Sequence, residues 1–199
     1  MIKPARTIDT REHLLATGES IILSKGYAAV GLAEILSQAG VPKGSFYHYF
    51  RSKEGFGVEM LQRYFEDYDQ RLLNTLQQGD VSGRTRLLRY FQFWHQRHKD
   101  GGCHRGCLAV KLSGEVSDLS EPMREALANG MERIVMRLAG AISTAQQDGS
   151  LAPYLDPQHC AQALYALWIG SSLLHKVLQL QQPLDMALTQ TESMLPVAS

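Results

Sequence analysis

The chain has 199 residues, 44% of them hydrophobic, and 20 Lys+Arg balance 20 Asp+Glu for a formal net charge of zero. That length and apolar content allow a packed core, as one domain or as a small head on a larger body. No run of about twenty apolar residues offers a membrane span, the start Met1-Ile2-Lys3-Pro4-Ala5-Arg6 lacks the apolar core of a signal peptide, and the global charge lends no support to nucleic-acid binding. Three cysteines, an odd number, fit reduced thiols better than a disulfide framework, so a cytoplasmic location is expected.

Residues 1 to 8 read as a loose basic arm, either frayed or touching a polyanion through Lys3 and Arg6. Asp9 with Glu12 three residues on starts a helix, whose apolar face is Leu14, Leu15, Gly18, Ile21 and Ile22 and whose end is Lys25-Gly26. Leu32, Ile35, Leu36 and Ala39 then recur at helical spacing over about two turns. Gly40 suits a left-handed turn, and Pro42-Lys43 opens a further short helix. Phe46, Tyr49 and Phe50 fall on one side of it, leaving Lys43, Ser45, Tyr47 and His48 outward. Two short helices joined by a tight turn, the second carrying small, basic and hydroxylic side chains, predict a helix-turn-helix. Lys43, Arg51 and Lys53 crowd this segment, and it is local charge that meets phosphates.

The pattern Gly26-Tyr27, Leu32-Ala33-Glu34-Ile35-Leu36, Ala39-Gly40-Val41 and Lys43-Gly44-Ser45-Phe46-Tyr47-His48-Tyr49-Phe50-Arg51-Ser52-Lys53-Glu54 resembles the TetR family of transcriptional repressors. The likeness covers roughly the first quarter to third of the chain, and it is more specific than a helix-turn-helix alone requires. Two positions depart from it: Gly31 stands where the family usually has a Thr or Ser cap, and Tyr49 where it usually has His. On this reading Lys43 reaches a phosphate or a guanine edge, and Gly44 lets the backbone approach the duplex. Ser45, Tyr47 and His48 are the next outward positions, and Tyr49 and Lys53 anchor phosphates without reading sequence. Tyr49 reads equally as a core aromatic.

Ser52 can cap the next helix, which Phe56, Met60, Tyr64 and Leu72 or Leu73 carry to about Gln78. This rod of about 25 residues, or ~38 Å, begins at the head and ends in the body. Gly79-Asp80-Val81-Ser82-Gly83 breaks the chain. Helical spacing resumes at Leu87, Leu88, Phe91 and Trp94, stops at Lys99-Asp100-Gly101-Gly102, and returns in the short apolar piece from Cys107 to Leu112. Asp118 or Ser120 caps a helix with Pro122 in its first turn, running through Met123, Leu127, Met131, Ile134, Val135, Leu138 and Ile142 to Asp148-Gly149-Ser150. Residues 164–174 are apolar nearly all round, which asks for burial on more than one side, and a less regular helix follows Pro183. No segment alternates, so the chain reads as all-α. The last two helices are predicted to form a homodimer interface, as the family resemblance implies. A dimer sets two recognition helices about one turn of DNA apart and expects an imperfectly palindromic operator.

The stretch from His95 to Cys107 carries the body's chemistry. Cys107 follows a glycine at the start of a helix, with His104, Arg105 and Lys111 nearby, and both features favour thiolate. One reading makes it a target of electrophiles or oxidants whose modification releases DNA; the other makes it a small buried hydrophobe. The segment Gly106-Cys107-Leu108-Ala109-Val110-Lys111-Leu112 resembles members of the same family that respond to reactive electrophiles. Lys176, in register with Tyr165, Trp168, Ile169 and Ser172, either points inward as a partner for the thiolate or reaches to water.

Metal binding by His95, His98, Cys103, His104 and Cys107 is a further reading, although the spacing matches no familiar zinc pattern; a redox role for Cys103 or Cys160 stays open. So does a reversibly bound apolar ligand lined by Trp94, Tyr165 and Trp168. No phosphate loop, Ser-His-Asp order or metalloprotease His-Glu pair is present, so neither an enzyme nor a cofactor is expected. The expectation is a DNA-binding head over residues 1–52 and a sensing and dimerising body over 53–199. The partners expected are an operator duplex, a small-molecule inducer or electrophile and a second copy of the chain.

Overall fold

Asp9 caps the first helix by accepting from the backbone N–H groups of Arg11 and Glu12. Glu12 does not reach back to close a capping box; its carboxylate pairs with Arg63. The computed structural model describes residues 9–77, 79–99 and 107–198, and within them all regular structure is helical. The helices are α1 Thr10–Lys25, α2 Leu32–Ala39, α3 Lys43–Tyr49, α4 Lys53–Gln77, α5 Gly83–Lys99, α6 Leu108–Val116, α7 Glu121–Gln147, α8 Pro157–Leu178 and α9 Gln182–Met194.

The helix-turn-helix is α2 and α3, joined through Gly40 in the left-handed conformation at φ 63°. Ile35, Leu36 and Ala39 of α2 and Phe46 of α3 turn inward, with Phe50 just beyond. Phe46, Phe50 and Phe56 form a compact aromatic knot, with ring centroids 5.0 to 5.6 Å apart. Since Phe56 belongs to α4, this knot fastens the recognition helix to the rod. α1 braces both from behind: His13 Nε2 meets the Ala39 carbonyl at 3.0 Å, and Arg63 of α4 pairs with Glu12 and Glu19 of α1.

Ser52 caps α4 through the N–H of Gly55 at 2.9 Å, and Ser120 rather than Asp118 caps α7 through Met123 N–H. The body is layered around α7, which packs on α4, α5, α6 and α8, while α9 covers α8 and α5. α5 starts on a site that chain order does not reveal: Gly83 N–H donates to Asp148 at 2.6 Å and Arg84 N–H to Ser150 at 3.0 Å. The loop closing α7 therefore supplies acceptors for the free N–H groups opening α5, which any helix start requires. No described helix is long and apolar enough to cross a membrane.

Candidate DNA-binding face and sensing core

α3 is seven residues long, so one buried position, Phe46, fixes which side faces out. Lys43, Gly44, His48, Tyr47 and Tyr49 are exposed, the last two at 51% and 37%, and Ser45 is half-buried. Tyr49 thus leaves the aromatic knot and lies edge-on to His48, ring centroids 4.9 Å apart. The Lys43 ammonium sits 6.0 Å from the Tyr47 ring. A methyl group added at Gly44 would meet nothing within 4 Å, so the protein's own packing does not demand glycine there. Lys53 differs from Lys43. Its ammonium donates to the Tyr27 carbonyl at 2.8 Å and lies 4.2 Å from the Tyr27 ring. Burial pulls its pKa below the usual lysine range, with Glu115 opposing that shift.

Cys107 is the residue preceding α6, half-buried at its N-cap position. Its Sγ lies 3.4 Å from the hydroxyl of Tyr64 on α4. Burial and Cys107 itself push the Tyr64 phenol well above its ordinary range, so that hydroxyl stays protonated and able to donate. Tyr68, Tyr90 and Tyr165 are likewise pushed up, first by burial and in part by Cys107. Tyr68 and Tyr90 bond each other through their hydroxyls. Tyr64 is thus the phenol that contacts the thiol, and phenols of α4, α5 and α8 lie near enough to feel its charge. Behind them Trp168 stacks on Phe91 at 5.3 Å and tilts against Trp94 at 5.6 Å. The indoles are anchored, Trp94 to Ser172 at 3.1 Å and Trp168 to Thr191 at 2.9 Å.

The expected pocket residues Trp94, Tyr165 and Trp168 are thus brought together as packed aromatics. Lys176 is not turned inward: it is exposed in the last turn of α8. The inward register runs Tyr165, Trp168, Ser172 and His175, and His175 is buried and bonded to the Leu180 carbonyl at 2.7 Å. Among the described residues no three His, Cys, Asp or Glu side chains gather as a metal site, and His95 meets Asp185 at 2.7 Å. His98's side chain, Cys103 and His104 lie outside the described residues. Cys160 is buried on α8, and burial raises its thiol pKa. The phenols of Tyr68 and Tyr90 escape a reading of the sequence, which signals them only as apolar-face positions of their helices.

An exposed second helix carrying basic and hydroxylic side chains, mounted on a helical body with a chemically distinct core, defines a helix-turn-helix DNA-binding regulator. The chain belongs to the TetR family: residues 83–191 match the Tetracyclin repressor-like C-terminal domain, and residues 14–60 match the bacterial regulatory proteins of the tetR family. It is 46% identical to the HTH-type transcriptional repressor NemR of Escherichia coli strain K12, over 94% of each chain. It is also 37% identical to the HTH-type transcriptional repressor DhaR of Mycobacterium sp. strain GP1, over 96% of this chain and 95% of that one. The crystal structure of E. coli NemR in its reduced form superposes with a TM-score of 0.88 at 45% identity, covering 96% of this chain and 100% of that one.

Proposed function

We propose that this protein is a cytoplasmic, homodimeric repressor that releases an imperfectly palindromic operator when Cys107 reacts with an electrophile or oxidant. Residues 1–52 act as the DNA-binding head and 53–199 as the sensing and dimerising body. Lys43, Tyr49 and Lys53 anchor phosphates, and Ser45, Tyr47 and His48 face the bases across the space that Gly44 leaves open. Likeness to repressors over nearly the whole chain supports the DNA reading, and NemR's having a reduced form supports the thiol reading.

The dimer is supported by an uncovered apolar stripe. Leu173, Leu174, Val177 and Leu178 of α8 are 48 to 69% exposed, and Leu180 and, on α9, Met186 are exposed as well. Apolar side chains in such a contiguous row favour a partner surface over water.

The observation carrying the sensing role is the contact of Cys107 Sγ with Tyr64. An adduct on that sulfur needs volume beside the Tyr64 hydroxyl, and making room there presses on α4, which carries that ring. Because α4 begins at the head, its movement alters the spacing of two recognition helices. Labelling with a quinone or hypochlorite, followed by mass spectrometry and gel shift, tests this. The wild-type protein should lose the operator while Cys107→Ser retains it; equal release from both would refute the thiol switch.

A further inference from the structure

We propose that α6 is a latch between the sensing thiol and the DNA-binding head, with Glu115 as the residue that positions the head; this rests on the function proposed above. Cys107 stands at one end of α6, and Glu115 is eight residues on, ~12 Å along the axis. The Glu115 carboxylate accepts from the backbone N–H groups of Tyr27 at 3.1 Å and Ala28 at 2.5 Å, across the α1–α2 loop. Lys111, midway along α6, donates to the Ser24 carbonyl at the end of α1 at 3.3 Å. Both links leave the short helix that the thiol opens, and both end on the head.

The loop is shaped for the carboxylate. Gly26 has φ 95°, and a methyl group built on it would stand 2.9 Å from Glu115 Oε2. Successive backbone N–H groups in a turn form a concave anion seat, and here the occupant comes from the body. The same loop supports a DNA contact, because Tyr27 carries Lys53 on its carbonyl and against its ring. Moving Glu115 therefore disturbs the support of one proposed phosphate anchor and the path from α1 into α2. The rod α4 offers a route from body to head as a single lever. The α6 latch is a second connection, and it begins at the reactive residue itself.

Iodoacetamide serves as probe: a Sγ–C bond forms, iodide leaves and the thiol proton passes to water. After mass spectrometry shows complete labelling of Cys107, operator affinity is measured for wild type and Glu115→Ala. Labelling should weaken the wild type about tenfold or more and the variant by less than about threefold. Amide hydrogen exchange on the unsubstituted protein gives a second readout that needs neither DNA nor a variant. Exchange at Tyr27 and Ala28 should quicken on labelling, and should not change in Cys107→Ser given the same treatment. Operator release from Glu115→Ala equal to wild type, or unchanged exchange at both amides while the operator is lost, would overturn the latch. A labelled wild type that keeps its operator while exchange at these amides quickens would instead count against the thiol-switch function and leave the latch standing.

Discussion

Two lysines with the same expected role occupy different environments, and that difference has a measurable consequence. Lys43 is exposed, with its ammonium 6.0 Å from the Tyr47 ring, whereas Lys53 is bonded to the Tyr27 carbonyl. Lys43→Ala should weaken binding to every duplex, lower the salt dependence by about one phosphate contact, and leave unfolding unchanged. Lys53→Ala should weaken DNA binding and also destabilise the fold by about 1 kcal/mol, because it removes a hydrogen bond joining the start of α4 to the head. Thermal unfolding run beside salt titrations separates the two; equal melting for both variants would show that the Tyr27 contact contributes nothing. The sequence marks both residues as basic and cannot rank them, since the carbonyl that distinguishes them lies 26 positions away. The same limit hid Glu115, whose partner Tyr27 is 88 residues distant.

At the scale of helices much was legible. The expected Ser52 cap of the rod and the stop of α7 at Asp148-Gly149-Ser150 match the structure, because caps, Pro122 and the apolar periodicity are local signals. Facing was left open at Tyr49 and Lys176, and the structure turns both outward. Tyr49 shares a helical face with Phe46 in projection, yet α3 is too short to bury its last turn. Lys176 shares a face with Trp168, yet His175 takes the inward position. Helix-to-helix distance is likewise set by contacts that periodicity does not encode. In α7, a methyl group at Gly130 would come within 2.1 Å of Phe65 of α4, while at Gly140 it would meet nothing within 4 Å. Gly130→Ala should therefore cost about 1–3 kcal/mol by overpacking, and Gly140→Ala should be neutral or stabilise by up to ~1 kcal/mol through helix propensity. Denaturant unfolding checks the pair, and equal midpoints would refute the close approach of α4 and α7.

For the whole molecule, the row Leu173, Leu174, Val177 and Leu178 is the proposed dimer face. Val177→Asp would place a charge in that apolar row, once on each copy of a two-fold contact. Sedimentation should show dimers for the wild type and monomers for this variant, with helical content retained. The monomer should then bind operator far more weakly, since each copy holds one half-site. A dimeric Val177→Asp protein would remove this face as the interface.

Arg63 holds Glu12 and Glu19 of α1 on α4, and Arg11 of α1 reaches Glu59 of α4. With Phe46, Phe50 and Phe56 interlocked as well, the reading surface travels as one block with the rod's first turns. In the proposed switch, reaction at the sulfur would leave the α3 surface itself intact while loosening the support of Lys53 and changing the bearing of that surface. Each half would go on recognising its own few base pairs, and what disappears is the ability of the two halves to land on one duplex together.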